Sequence, residues 1–242
     1  MVNAIKMAAL LVDSLPKDTL TPETTAHREG FIHPYAIEGA LEKAATLRRQ
    51  FGYGFSFDML GEAAYTEADA QRYFQAYRNA LEALVQTKEA DTAHQGISIK
   101  LSAITTRYEF AQRERVVPVL VSRVGELAVV ASQKNVTIII DAEEADCLEL
   151  TLDVLDLVYQ HPSLVNYSGL GIAIQAYQKR APAVIRWLAD LAKRYGKRLP
   201  CRLVKGAYWD TEIKLAQVHG LPDYDVLTRK SNTDLNFLHC AK

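Results

Sequence analysis

Five apolar, β-branched runs, each followed by a helical pattern, constrain this chain more than any other feature. The runs are FSFDMLGEA (55–63), ISIKLSA (97–103), VTIIIDAEE (136–144), GIAIQAYQKR (171–180) and RLVKGAYWD (202–210). Strand starts near 55, 97, 136, 171 and 201 are separated by 42, 39, 35 and 30 residues, each interval holding a helical pattern. In AQRERVVPVLVSRVGELAVVASQ (111–133), Val117, Leu120, Val121, Val124, Leu127 and Ala128 recur at helical spacing. Strand then helix, repeated, predicts a parallel sheet, because parallel neighbours need a crossover of a dozen or more residues. VTIIIDA is apolar on consecutive positions, as a strand buried on both faces must be.

A doubly wound sheet and a (β/α)8 barrel both satisfy that pattern. The polar residues that end the runs favour the barrel. Asp58, Lys100, Asp141, Gln175 and Tyr208 all fall at C-terminal strand ends, which in a barrel converge on one mouth. A complete barrel takes about 250 residues, roughly 30 per βα unit. About five of eight units are accounted for between residue 55 and Lys242, and three more would need roughly 90 further residues. The closing TDLNFLHCAK reads as the middle of a helix. The expectation is therefore an incomplete TIM-type barrel over 51–242, a C-terminally truncated fragment whose exposed edges invite self-association. Residues 1–50 are expected to form a helical lead-in. KMAALLVDSL suggests a short helix, Pro16 and Pro22 a loop, and AIEGALEKAATLRRQFG a second helix ended by Gly52.

Composition removes several function classes. A hydrophobic content of 49% supports a sizeable core, and a net charge of −1 provides no general attraction to nucleic acid. No apolar run reaches the ~18 residues of a membrane span, and the start lacks a signal-peptide pattern, so the expected compartment is cytoplasmic. Cys147, Cys201 and Cys240 are widely spaced without a CxxC, and the six histidines are scattered, so no metal site is expected. No GxGxxG follows a strand, which disfavours a Rossmann dinucleotide site.

The last run carries the densest chemistry. At a strand-to-helix junction Lys205 could offer charge to a phosphate, Gly206 could let backbone approach a cofactor, and Tyr208 and Trp209 could flank a planar ring. An ordinary buried strand capped by surface aromatics would use the same residues.

Together the five runs resemble the proline dehydrogenase domain of the bifunctional bacterial proline-catabolic flavoenzymes of the PutA family, from about residue 52 to the last residue. GFIHPYAIEGALEKA matches only weakly. The resemblance implies non-covalent FAD, oxidation of L-proline to Δ1-pyrroline-5-carboxylate, and electrons passed to quinone. It also implies possible peripheral association of the full-length protein with the inner face of the membrane. The DNA-binding and aldehyde dehydrogenase modules of full-length relatives are not visible here. Beyond Lys242 the family has a sixth strand bearing a flavin-contacting histidine and a final helix whose tyrosine and paired arginines close over the substrate.

Residue by residue, the resemblance makes Lys100 the lysine that helps bind the substrate carboxylate beside the flavin. An ion pair with a neighbouring carboxylate is its other reading. Asp141 becomes the active-site aspartate, or else a helix N-cap followed by the first-turn acids Glu143 and Glu144. Glu62 is the partner of a gating arginine, or a helix-start acid. Gln175 suits the pyrimidine edge of a flavin, although a lone glutamine at a strand end is more often on the surface. Arg202, inside a strand, must be paired if buried, with a flavin or pyrophosphate oxygen or with an internal carboxylate. Val204, Lys205, Gly206 and Ala207 approach the cofactor largely by backbone. Tyr208 is the substrate-side aromatic and Trp209 the flavin-side one. Thr228, Arg229 and Lys230, in LTRKSNTD, contact the adenosine and pyrophosphate half, or else form a solvated helix start. Two other readings remain: a Schiff-base lyase or aldolase using Lys100 or Lys205 on the same barrel, and a non-catalytic fragment.

Overall fold

The computed structural model describes residues 5–10, 37–59, 61, 63–86 and 95–242. In chain order these form β1 (Ile5–Leu10), α1 (Ile37–Phe51), β2 (Gly54–Met59), α2 (Glu67–Gln86), β3 (Gln95–Ile99), α3 (Arg113–Ser132) and β4 (Thr137–Ile140). There follow α4 (Leu148–Tyr159), β5 (Leu170–Gln175), α5 (Ala181–Tyr195), β6 (Cys201–Val204), α6 (Trp209–Val218) and α7 (Lys230–Cys240).

The sheet order is β1-β2-β3-β4-β5-β6, and β2 to β6 are parallel. A doubly wound sheet would reverse direction about its first strand, with later strands inserted on the other side. Here each strand is laid beside its predecessor, and the five parallel strands curl into half a barrel with helices around it. The incomplete (β/α) barrel expected from the strand spacing is what forms.

The lead-in differs from expectation. Ile5–Leu10 is a strand, not the start of a helix over KMAALLVDSL, and pairs antiparallel with β2 from Ile5 opposite Met59 to Leu10 opposite Gly54. A short apolar run such as IKMAAL fits either period, and the free outer edge of β2 offers ladder hydrogen bonds that an isolated helix turn cannot match. The rest of that expected helix and the Pro16–Pro22 loop lie outside the described residues. The second expected helix forms as α1 and ends before Gly52, whose φ of 71° is the left-handed conformation a helix stop uses.

The core lies between the sheet and its helices. Every residue of β3 and β5 is buried, as strands covered on both faces require. Phe74, Tyr77, Leu81 and Leu84 of α2, Leu120, Val124 and Leu127 of α3, and Val154, Leu155 and Val158 of α4 pack on Ile97, Ile99, Ile138 and Ile140. Each such side chain contributes about 1.5–3 kcal/mol on burial. In α3 the periodic residues named above are buried except Val121, which is only partly so. β6 is different: Cys201 is exposed and Arg202, Leu203 and Val204 are half-buried, and its outer edge has no strand partner among the described residues.

Close approach is tightest where β5 begins. A Cβ on Gly171 would sit 2.0 Å from the Pro200 carbonyl oxygen and 2.7 Å from Pro200 Cβ. Gly171→Ala must push the entry of β6 away from β5. The expected loss is about 1–3 kcal/mol of stability, read as a lower urea midpoint, and an unchanged midpoint would contradict the packing described.

Candidate functional site

Parallel strands deliver their C-terminal ends to one rim, three of those ends carry charge, and a fourth charge comes from within β6. Asp58 closes β2, Lys100 follows β3, Asp141 follows β4, and Arg202 lies in β6. Lys100 Nζ donates to Asp141 Oδ2 at 2.9 Å and to Asp58 Oδ1 at 3.4 Å. Arg202 Nη2 donates to the other oxygen of Asp141. Asp141 is thus the shared anion, with a side chain only 10% exposed against 39% for Arg202. Its backbone N–H donates to the Ile99 carbonyl at 2.8 Å, so it continues the ladder instead of capping a helix; α4 begins only at Leu148. Beneath Lys100, the buried Tyr77 hydroxyl accepts from the Lys100 backbone N–H at 3.2 Å.

The network sets its own protonation. Burial alone would lower the Lys100 pKa, but the charge and hydrogen bond of Asp141, then Asp58, outweigh it and hold the ammonium above the ordinary lysine value. Asp58 is raised too, which for a carboxyl favours the neutral form: burial raises it, Lys100 opposes, and the Asp141 charge adds to the rise. Of the three N–H groups of Lys100, two go to carboxylates, leaving one for a ligand.

A second cluster surrounds the turn after β6. Gln175 is 2% exposed, which removes the surface reading. Its Nε2 donates to the Glu143 carbonyl at 2.9 Å and its Oε1 accepts from the Ala207 backbone N–H at 2.9 Å. The N–H groups of Ala176 and Tyr177 donate to the carbonyls of Val204 and Lys205, both at 2.7 Å. Gly206 has φ of 140°, and a Cβ there would meet the Tyr177 ring at 2.5 Å. Glycine is therefore demanded by Tyr177 packed against the turn.

Beside this turn lies a cleft of about 360 Å³ lined by Tyr177, Lys205, Trp209, Leu227, Thr228 and Lys230, with Gly206 at its wall. Trp209 is 41% exposed, and its indole N–H donates to the Leu227 carbonyl at 3.0 Å. Lys205 Nζ pairs with Asp234 Oδ1 at 2.5 Å. Arg229 is exposed at the N-cap of α7, its carbonyl accepting from the N–H groups of Asn232 and Thr233. Tyr208, half-buried, occupies the N-cap of α6. Glu62 lies outside the described residues.

The structure thus gathers Lys100, Asp141 and Arg202 into one network, and Gln175, Val204, Lys205, Gly206 and Ala207 around one turn. Thr228, Lys230 and Trp209 share the adjoining cleft. Asp58 was read only as a strand-end marker, and its pairing with Lys100 makes it a full member of the site. Tyr77, Tyr177 and Glu212 were not read from sequence at all. Tyr77 looks like any apolar-face residue of α2, so its spacing carries no sign of the hydroxyl contact.

The residues fit a flavin dinucleotide. Arg202 Nε is buried and has no hydrogen-bond partner among the described residues, a donor left for an acceptor oxygen such as a flavin or phosphate oxygen. The adjoining cleft offers an aromatic face, cations and a glycine turn, the groups that hold a planar ring and phosphates. Among the described residues no cluster of three or more His, Cys, Asp or Glu side chains could hold a metal ion.

Removing the shared anion should be costly. Asp141→Ala leaves Lys100 and Arg202 facing each other partly buried, with an expected loss of about 3 kcal/mol. Lys100→Met in the same background should restore part of it. Urea unfolding of the two variants checks this, and a double variant no more stable than the single would refute the coupling.

The profile of the family described as proline dehydrogenase matches residues 40–242. The chain is 48% identical over 216 residues to bifunctional protein PutA of Salmonella typhimurium, covering 88% of this chain and 16% of that protein. It is 44% identical over 211 residues to bifunctional protein PutA of Rhizobium meliloti, covering 87% and 17%. Among solved structures, a mutant of Bradyrhizobium japonicum proline utilization A superposes with a TM-score of 0.73 at 51% identity, over 76% of this chain and 19% of that one. Proline utilization A from Bdellovibrio bacteriovorus inactivated by N-propargylglycine superposes with a TM-score of 0.78 at 28% identity, over 85% and 23%. The chain therefore spans about a sixth of the length of the curated relatives it matches, and over the part it spans it belongs to the proline dehydrogenase family.

Proposed function

We propose that this chain supplies the substrate-carboxylate and flavin contacts of an FAD-dependent L-proline dehydrogenase. Its product would be Δ1-pyrroline-5-carboxylate, and its electrons would pass to a quinone. The observation that carries this reading is the Lys100–Asp141–Arg202 network, built from three neighbouring strands and left with one lysine N–H and the buried Nε of Arg202 without a protein partner among the described residues. FAD, when bound, supplies the acceptor for the hydride leaving the ring carbon beside the proline nitrogen. Lys100, locked in its charged form by two carboxylates, holds the substrate carboxylate through its third N–H. Arg202 offers Nε to a flavin oxygen while Asp141 holds its other end. Trp209, Thr228, Lys230 and Lys205 border the cleft for the rest of the cofactor, Lys205 exchanging Asp234 for phosphate. Arg229, Tyr208 and Glu62 keep the roles that the family gives them: the adenosine half, the substrate-side face, and the partner of a gating arginine.

A Schiff-base enzyme needs a neutral amine at the reaction centre. Lys100 is held charged and Lys205 is in an ion pair, so neither lysine fits that role. We propose that the reaction takes place in the cytoplasm, with reoxidation by quinone at the inner membrane face. No helix among the described residues is long and apolar enough to cross a membrane. The edge of β6, without a strand partner among the described residues, and the exposed Leu215, Val218, Leu235 and Leu238 on α6 and α7 favour self-association of residues 1–242, and would leave a bound flavin open to water.

Two outcomes are expected. With the chain joined to the segment that completes the barrel in its relatives, Lys100→Ala should lower proline kcat/KM by about tenfold or more while bound flavin stays at the wild-type level. An ion pair to a carboxylate in a closed site contributes about 1.5–3 kcal/mol. A proline-to-quinone-dye assay with flavin absorbance decides this, and unchanged kinetics would reject the role of Lys100. Residues 1–242 alone should bind FAD weakly, turn over negligibly and elute from size exclusion as oligomers. A monomer with stoichiometric FAD and robust turnover would overturn the argument from the exposed edge.

A further inference from the structure

Glu212 is a buried carboxyl on α6, 8% exposed, that no cation pairs with among the described residues. Its Oε1 accepts from the Ala145 backbone N–H, in the loop after β4, at 2.7 Å. The same oxygen accepts from the Tyr177 hydroxyl at 3.5 Å. Tyr177 in turn packs its ring against Gly206, donates its N–H to the Lys205 carbonyl, and accepts at its own carbonyl from Leu227 N–H at 2.7 Å. One side chain therefore touches the loop that follows Asp141 and, through one tyrosine, both walls of the cleft beside Trp209.

We infer that Glu212 is a positioning residue for the cofactor: through Ala145 and Tyr177 it fixes the Gly206–Tyr208 turn against the loop that carries Asp141. This rests on the reading of that turn as the flavin cradle. The Gln175 bridge from Glu143 to Ala207 runs alongside it, so the two loops are tied by two buried polar links, one neutral and one ionisable. The groups facing Glu212 are Glu144 and Asp146 from the loop after β4, Tyr177 from the loop after β5 and Asp225 from the segment before α7. Arg180, which also reaches the Ala145 carbonyl, is paired with Glu149.

Burial raises the Glu212 carboxyl above the ordinary glutamate value, the Ala145 N–H opposes this, and the Asp146, Glu144 and Asp225 charges add to the rise. The sign follows. The folded state holds the proton to higher pH than the unfolded chain, so stability falls as pH rises from the ordinary glutamate value through the raised one. Ionisation places a charge among acids and loosens the turn, and glutamine mimics the protonated form.

Only two tryptophans are present, so Trp187→Phe leaves Trp209 as a reporter on the turn that needs no ligand. In that background, Trp209 emission should shift to the red and acrylamide quenching should rise over a pH transition centred above the ordinary glutamate value. Glu212→Gln should abolish the transition and keep the low-pH signal throughout. Glu212→Ala should leave Ala145 N–H unpaired, expose Trp209 at every pH and weaken FAD binding, measured by flavin fluorescence, by about tenfold, with Glu212→Gln restoring it. If Glu212→Ala fails to fold, the glutamine variant decides alone: persistence of the transition would overturn the assignment. Unchanged emission, quenching and FAD affinity in a folded Glu212→Ala would do the same. Failure of the chain joined to the segment that completes the barrel in its relatives to bind FAD, with the Trp209 response of residues 1–242 intact, would count against the flavin reading and leave the positioning role standing.

Discussion

Parallel pairing in sequential order puts every strand's C-terminal end on the same rim, and the burial of that rim decides which charges it can hold. Asp58 and Asp141 face Lys100 and Arg202, two acids against two cations. Any one of these alone would carry a large desolvation cost, and together they cancel it. The balance is also the functional constraint. Cations already engaged by acids leave few donors spare: the third N–H of Lys100 and the Nε of Arg202. Rigid strands hold those donors in place before a ligand arrives, which is how a site avoids ordering costs on binding.

The architecture was legible because it rests on periodicity and spacing. Runs such as VTIIIDA and the stripe through Val117, Leu120, Val124 and Leu127 state burial directly, and interval lengths state the crossover helices. Sequential order, which excludes the doubly wound alternative, was not legible in the βα rhythm, which both folds share; the polar residues at the strand ends pointed to it. Nor was β1: six apolar residues satisfy helix and strand equally, and pairing with β2, a tertiary fact, settles it.

The site was legible in part, and the parts missed share a cause. Lys100, Asp141 and Arg202 announce themselves as charges at the ends of apolar runs, where burial makes charge expensive and so informative. Tyr77 and Tyr177 sit at positions where an aromatic is expected for packing, and only the third dimension shows what their polar ends reach. Glu212 falls in the first turn of α6, where an acid already has a sufficient local reason in the helix dipole. Its burial against the loop after β4 has no trace in local pattern, because the two segments are 67 residues apart.

The two clusters are one mechanical unit. Asp141 and Glu143 are two residues apart on one loop; the first holds Lys100 and Arg202, and the carbonyl of the second holds Gln175, which holds Ala207. A displacement of the turn after β6 is therefore transmitted to the loop that sets Lys100 and Arg202. β6 feels such a displacement most, being the least buried of the five parallel strands and, among the described residues, bonded on one side only. Where the ladder is weakest, side-chain links must supply the rigidity that hydrogen-bonded neighbours supply elsewhere. Gln175 and Glu212 provide them at the turn where the backbone freedom of Gly206 would otherwise let Lys205 and Trp209 drift from the network they flank.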